Sequence, residues 1–235
     1  MVCKTSQASI NPGHRHHNGF SFEVAKHARP GSNRQRAKPG EITPSGDGCH
    51  RDTGWMEHIV RVASREVYRS RWMTVREDQI RRADGSYGSY GVIDRPDYAL
   101  VIARDGDRFC LVEQFRYPLG LRRWEFPQGT GPDLADVEPA ALAERELREE
   151  TGLRAESMVF LGLLDVVPGL CSQRGRVFLA TGITEGEHER EHEEQDMHSA
   201  WFSRGEVERM IVEGEITDAQ SIAAWALFLL VPQAS

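Results

Sequence analysis

The chain has 235 residues, 39% of them hydrophobic, and a formal net charge of −7. Its length allows one domain of good size with appendages, and no apolar run approaches the roughly 20 residues of a membrane-spanning helix. An apolar secretory signal is also missing and the net charge is negative, so we expect a cytoplasmic protein whose partners include neither a membrane nor nucleic acid.

The first 54 residues differ in composition from the rest. They hold eight Lys and Arg against four Asp and Glu, whereas the remainder holds 21 against 32. Three Pro-Gly pairs interrupt any periodic pattern, which predicts a disordered basic tail over residues 1–54. The cysteines and histidines of this tail lack the spacing of a zinc site.

Residues 55–95 contain short, partly alternating apolar runs. Val60–Val62, Val67–Tyr68 and Trp72–Val75 follow one another, and Asp84-Gly85 is a hairpin signal. The pattern predicts a small N-terminal antiparallel β domain.

Residues 96–235 combine strands with helices. Tyr98–Ala103 and Phe109–Phe115 flank a turn, and further strands are predicted at Met158–Val167 and Val177–Ala180. Three helices are indicated by capping signals: Glu138 with Pro139 before the first and Gly152 after it, Ser203 before the second and Gly214 after it, and Thr217 before the third. Helices that flank a mixed sheet indicate an α+β fold.

Three glutamates share one face of the first predicted helix. Glu146, Glu149 and Glu150 stand at positions i, i+3 and i+4. Like charges at this spacing repel, and a divalent cation with oxygen ligands would relieve the repulsion. Arg145, four residues before Glu149, can orient one carboxylate. Taken alone, the pattern is more typical of a solvated helix face.

The fuller string from Arg145 to Leu153 resembles the signature of the Nudix hydrolases. It matches Arg-Glu-aliphatic-x-Glu-Glu-x-Gly-aliphatic at every specified position, and Gly131 falls at the first glycine of the motif. Val137 replaces the glutamate that usually precedes the helix, and Glu138 stands one step out of register. Measured instead from Gly129, the loop is two residues longer than usual.

Other segments resemble the ADP-ribose pyrophosphatase subgroup, so that the resemblance covers roughly residues 57–231. These segments are Tyr68–Gly85, Glu113–Tyr117, Trp124–Pro127, Pro168-Gly169 and Gly214–Ala219. The resemblance implies an α/β/α sandwich and hydrolysis of the pyrophosphate of a nucleoside diphosphate linked to another moiety. ADP-ribose, cut to AMP and ribose 5-phosphate, is the first expectation; another nucleotide sugar or a dinucleotide is the alternative.

Residue roles follow from the same resemblance. It implies that Mg²⁺, with Mn²⁺ as a substitute, is bound by Glu146, Glu149, Glu150 and the main-chain carbonyl of Gln128. Pyrophosphate hydrolysis requires charge neutralisation on phosphate oxygens and a positioned water. We therefore expect the three glutamates and Arg145 to form the catalytic set.

Substrate contacts are expected at Arg116, Glu125, Gly129, Pro168 and Gly169. Arg116 fits a surface ion pair equally well. Glu125 fits a role in closing the sheet edge equally well.

The general base is expected in the acidic run that ends at Asp196. Gln173 occupies the loop after the Pro-Gly pair, where several family members carry an acidic base, and an amide cannot accept the proton. Glu193, Glu194 and Asp196 are the candidates, although the run is also typical of a solvated loop.

A non-catalytic Nudix-fold regulator is the alternative from another functional class. Such regulators usually degrade the motif and add a DNA-binding domain. Here the three glutamates are intact and the tail is too irregular for a winged helix, so we expect an enzyme.

The N-terminal β domain also bears on assembly. Proteins similar to this chain in both regions are usually homodimers that exchange their N-terminal β domains. A small sheet that carries Trp72, Tyr87 and Tyr90 buries little by itself and needs a surface to pack on. We therefore expect a homodimer.

Overall fold

The computed structural model describes residues 59–131, 137–187, 189 and 196–231, and the predicted tail lies outside them. The strands are β1 (Ile59–Arg69), β2 (Thr74–Arg82), β3 (Tyr87–Asp94), β4 (Tyr98–Asp105), β5 (Arg108–Arg116), β6 (Leu121–Glu125), β7 (Gln128–Thr130), β8 (Arg154–Asp165), β9 (Arg174–Thr184) and β10 (His198–Ser203). The helices are α1 (Pro139–Thr151), α2 (Arg204–Glu213) and α3 (Ala219–Leu230), and Tyr117–Leu119 form a 3-10 turn.

Strands β1, β2 and β3 form a separate antiparallel sheet, as the sequence predicts. The hairpin at Asp84-Gly85 is confirmed: Gly85 has φ +82°, and the Ser86 N–H donates to the Asp84 carboxylate at 2.9 Å. The first two apolar runs belong to one strand, β1, so their separation in the prediction was wrong. The β1–β2 pairing has two irregularities, one at Val62 and one at Val67. At each of them β1 contains one extra residue that has no partner on β2, and the strand continues beyond it.

The larger sheet is mixed. Its strands follow the order β10-β5-β4-β9-β8, with β6 added on β5 and β7 on β4. The β4–β9 pair is parallel and the remaining pairs are antiparallel. Residues Tyr98–Ala103 of β4 are buried, which is expected for a central strand covered on both faces.

Helices cover both faces of this sheet. On one face α1 packs through Leu142, Ala143 and Leu147 against the odd-numbered residues of β4. On the other face α2 and α3 pack against the even-numbered residues of β4, with Met210, Trp225 and Phe228 at the centre. The alternation of side chains along the strand thus separates two cores, and the expected α/β/α sandwich is confirmed.

The helix ends follow the predicted signals with one correction. Glu138 accepts from the Ala141 N–H at 2.9 Å to begin α1, and Gly152 ends it with φ +74°. Helix α3 is capped by Asp218 instead of Thr217, because the carboxylate of Asp218 accepts the Ser221 N–H. No helix within the described ranges is long and apolar enough to cross a membrane.

Candidate active site

A cleft of about 470 Å³ opens beside the β4–β7 pair and the start of α3. Its charged and amide side chains include Arg95, Arg116, Arg123, Glu125, Gln128 and Asp218. Three arginines in one cleft favour an anionic ligand, since guanidinium groups match phosphate oxygens in charge and geometry.

Two of the predicted metal ligands are buried where α1 meets the turn before β7. Glu146 is 4% exposed and Glu150 is 1% exposed. The Gln128 N–H donates to the Glu150 carboxylate at 3.1 Å. Gly129 lies so close to the Glu146 carboxylate that a Cβ at this position would overlap it. The main chain of Gln128 and Gly129 therefore lies directly against both carboxylates.

Arg145 contacts two of the three predicted catalytic glutamates. Its guanidinium donates to the Thr130 carbonyl at 2.9 Å and to Glu146 at 2.8 Å. It also forms an ion pair with Glu149 at 3.2 Å, the partner that the helical spacing indicates. A half-buried arginine shared by two carboxylates offsets the repulsion between them.

The donor set fits a magnesium-like cation. Within the described ranges no three His, Cys, Asp or Glu side chains are grouped closely enough to hold an ion by themselves. Mg²⁺ does not require such a cage, because it usually binds one or two carboxylates and takes its other ligands from waters and substrate phosphates. Two buried carboxylates beside the main chain of Gln128 and Gly129, next to a cleft with three arginines, satisfy that requirement.

Arg116 and Glu125 form an ion pair across the β5–β6 hairpin. The Arg116 Nη2 lies 2.7 Å from the Glu125 Oε2, and the side chain of Glu125 is 1% exposed. Burial raises the pKa of Glu125 above its ordinary value, while the charge and hydrogen bond of Arg116 oppose that shift. Arg116 thus forms an ion pair, as its alternative role predicts, with a buried carboxylate on the cleft wall, and its contact with substrate stays a prediction.

The start of α3 belongs to the site, which the sequence reasoning missed. The Gln128 side-chain amide donates to Asp218 at 3.0 Å and to Glu125 at 3.3 Å. Asp218 also lines the cleft. Its sequence signals were its place after Thr217 at the start of the predicted helix and within the Gly214–Ala219 segment.

The segment after β8 is held by the N-terminal sheet. The Ile93 N–H donates to the Leu170 carbonyl at 2.9 Å, and the Tyr90 hydroxyl donates to the Gly169 carbonyl at 2.7 Å. Pro168 and Gly169 are absent from the described lining of the cleft, whereas Gln173 is part of it. The Gly169 carbonyl is engaged by β3, and the substrate contacts expected of Pro168 and Gly169 stay a prediction.

The two residues at the degraded position of the Nudix motif have structural roles. Val137 packs against the core beneath α1, and Glu138 caps the helix. The carboxylate of Glu138 is therefore engaged by the helix N-terminus.

The candidate bases Glu193 and Glu194 lie outside the described residues. Asp196, at the end of the same acidic run, pairs with Arg122 at 2.8 Å. This ion pair ties the end of the run to β6.

Comparison with known proteins agrees with this geometry. The profile of the NUDIX domain matches residues 94–224, and that of the nucleoside diphosphate sugar hydrolase N-terminal domain matches residues 60–93. An ADP-ribose pyrophosphatase of Mycobacterium tuberculosis (strain ATCC 25618 / H37Rv) is 35% identical over 164 residues, 69% of this chain and 79% of that protein. An ADP-ribose pyrophosphatase of Bacillus subtilis (strain 168) is 26% identical over 165 residues, 69% of this chain and 88% of that protein.

A solved structure shows the same fold. The crystal structure of an ADP compounds hydrolase superposes with a TM-score of 0.65 at 19% identity, over 74% of this chain and 93% of that one. Nudix hydrolases generally use divalent metal ions, which agrees with the carboxylates of α1. The chain belongs to the Nudix family, in the group that resembles ADP-ribose pyrophosphatases, and is a pyrophosphohydrolase.

Proposed function

We propose that this enzyme uses Mg²⁺ to hydrolyse ADP-ribose to AMP and ribose 5-phosphate. The observation that carries the proposal is the position of Glu146 and Glu150, buried against the Gln128-Gly129 main chain beside a cleft with three arginines. The named activity of the two ADP-ribose pyrophosphatases supports the choice of substrate.

The residues of α1 and the turn before β7 would form the metal site. Glu146, Glu149, Glu150 and the Gln128 carbonyl would hold the ion. When bound, it would neutralise charge on the phosphate oxygens and make a bound water more acidic. Arg145 keeps the carboxylates oriented through its contacts with two of them.

The cleft supplies the substrate contacts. Arg116 presents its charge to the cleft and is fixed by Glu125. Arg95 and Arg123 add positive charge that complements a diphosphate. Gly129 lines the same cleft, where its main chain would contact a phosphate.

Glu193 or Glu194 would accept the proton of the attacking water. The acidic run follows β9 in the chain, and the pairing of Asp196 with Arg122 makes Asp196 the weaker candidate for the base. Glutamine in place of whichever of the two is the base would lower turnover without changing the affinity for metal.

The proposal includes a homodimer in the cytoplasm. Each copy would comprise a tail (1–54), an N-terminal β subdomain (55–95) and a catalytic domain (96–235). The N-terminal sheet and the bend after β1 expose many apolar side chains, and a second copy would cover them. They are Ile59, Val62, Val67, Tyr68, Trp72 and Tyr87.

A substrate panel tests the function. ADP-ribose, a second ADP-sugar and a dinucleoside diphosphate are incubated with Mg²⁺, with Mn²⁺ or with EDTA, and released AMP is measured by chromatography. The Glu150→Gln variant, purified in parallel, controls for contaminating hydrolases. Preference for ADP-ribose supports the proposal. Preference for another substrate contradicts the choice of ADP-ribose and assigns that substrate instead. No hydrolysis with either metal contradicts the proposed reaction.

A further inference from the structure

Each residue of the turn that precedes β7, Phe126 to Gln128, makes a main-chain hydrogen bond. The Phe126 N–H donates to the Ser221 hydroxyl at 2.9 Å, and the Pro127 carbonyl accepts from the Val101 N–H at 2.9 Å. The Gln128 N–H donates to Glu150 at 3.1 Å. Proline has no N–H, so no amide hydrogen of the turn lacks a partner.

One end of this arrangement rests on α3. Ser221 is fully buried, and its own N–H donates to Asp218 at 2.8 Å. The same oxygen of Asp218 accepts the side-chain amide of Gln128 at 3.0 Å. Asp218 and Ser221, which we call the α3 latch, therefore hold Phe126 and Gln128 from a position about 90 residues later in the chain.

The latch bears on the metal site through the main chain. Gln128 uses its N–H to hold Glu150, and its carbonyl is the proposed main-chain ligand of the ion. A shift of the turn would change both ligands together. A side-chain ligand that is displaced can return to the ion by rotating about its single bonds. A displaced main-chain carbonyl cannot, because the turn itself would have to move back.

We infer that Asp218 and Ser221 are positioning residues that set the metal affinity of the site by fixing the main chain of Gln128. The inference rests on the proposed metal site and adds to it a determinant on another element. Neither latch residue needs to touch the ion. Residues that orient metal ligands in this way often change the affinity by an order of magnitude or more.

A purely structural role is the competing explanation, because Asp218 also caps α3. Ser203 provides the matched control. It caps α2 within a complete capping box with Glu206 and does not line the cleft. Loss of either cap is expected to lower the melting temperature, but only loss of the latch should alter the metal site.

The experiment measures Mn²⁺ binding to the full chain without nucleotide, by the electron paramagnetic resonance signal of free Mn²⁺. The variants are Ser221→Ala, Asp218→Ala, Asp218→Asn and Ser203→Ala. The part of the Mn²⁺ binding that is lost in the Glu150→Gln variant is assigned to the proposed site, and we call it the site component. Circular dichroism establishes that each variant is folded at the assay temperature.

We expect Ser221→Ala and Asp218→Ala to weaken this component about tenfold. Asp218→Asn keeps an oxygen acceptor and should bind Mn²⁺ nearly as the wild type does, as should Ser203→Ala. If Ser221→Ala does not fold, the two Asp218 variants carry the comparison.

Three results would overturn the inference. Unchanged Mn²⁺ affinity in the folded alanine variants would show that the latch is only structural. Equal losses in Asp218→Asn and Asp218→Ala would show that charge, not position, matters. If Glu150→Gln binds Mn²⁺ as the wild type does, the proposed metal site is wrong and the role of the latch falls with it. This result contradicts the proposed function, whereas the first two contradict only the role of the latch.

Discussion

Gly129 and the carboxylate of Glu146 are in such close contact that no side chain fits between them. A Cβ at residue 129 would overlap the carboxylate carbon and both oxygens of Glu146. The contact joins the strand after the turn to the helix that carries the predicted metal ligands. A side chain at residue 129 would therefore displace the Glu146 carboxylate, whatever the backbone angles of that residue.

Gly129→Ala should lower turnover and metal affinity by about tenfold or more while the fold is retained, because the flexible Glu146 side chain is displaced. Steady-state kinetics and Mn²⁺ binding measure the effect. Gly205→Ala, in α2 with open space around the added methyl group, is the control and should leave both unchanged. Wild-type affinity in Gly129→Ala would mean that Glu146 is not a ligand.

Glu149→Gln and Glu150→Gln should each reduce kcat by about a hundredfold or more, since charge stabilisation by a metal is worth several kcal/mol and 1.36 kcal/mol corresponds to a factor of ten. Glu144→Gln changes an exposed glutamate of the same helix and should retain wild-type turnover. Near-normal rates in both site variants would contradict the catalytic assignment of this helix face.

Tyr98→Phe should stabilise the protein. The side chain is 5% exposed, and its hydroxyl has no hydrogen-bond partner among the described residues. Burial, with a contribution from the charge of Asp218, raises the pKa of Tyr98, so the unpartnered group is a neutral hydroxyl. Removing it should raise the melting temperature by about 2–4 °C, for a gain of about 1 kcal/mol.

Calorimetry of Tyr98→Phe beside Tyr68→Phe tests this. Tyr68 is half exposed on β1, and loss of its hydroxyl should leave the melting temperature unchanged. A lower melting temperature for Tyr98→Phe would show that the hydroxyl is satisfied, for example by an ordered water.

Asp94→Asn should destabilise the protein at neutral pH and lose that effect in acid. Burial acts to raise the pKa of Asp94, but hydrogen bonds from Arg76 and Ser172 and the charge of Arg76 hold it below the ordinary value of 3.8. A depressed folded pKa contributes stability that is present above the unfolded pKa and lost as pH falls through the folded one.

Melting temperatures of wild type and Asp94→Asn at a series of pH values from 7 to 3 measure the difference. The two curves should converge as the pH falls below the ordinary carboxyl pKa. A constant gap over the whole series would show that hydrogen bonding, rather than charge, links Asp94 to Ser172 and the segment that follows β8.

Val62→Asp or Val67→Asp should dissociate the proposed dimer. Both valines are about half exposed on β1, and a charge there would oppose burial in an obligate interface of roughly 2,000 Å² or more. Light scattering at micromolar concentration gives the mass. Val212→Asp, an exposed valine of α2 outside this sheet, should leave the mass unchanged. A wild-type monomer with full activity would contradict the dimer.

Local sequence determined the parts of the site that lie within one turn or one helix. The spacing of Glu146, Glu149 and Glu150 sets their common face, and Glu138 and Gly152 set the ends of α1. These signals act between residues a few positions apart, so they need no knowledge of the fold. The pairing of Arg145 with Glu149 follows from the same periodicity.

Only the tertiary structure decided which distant side chains meet. Arg116 pairs with a buried Glu125, and Gln128 reaches Asp218 about 90 residues away, because a mixed sheet brings β5, β6 and the start of α3 to one cleft. Asp218, which caps α3 in place of Thr217, takes part in that contact. Hydrogen-bond partners of this kind are determined by the topology of the chain and by burial. Neither produces a periodic pattern in the sequence.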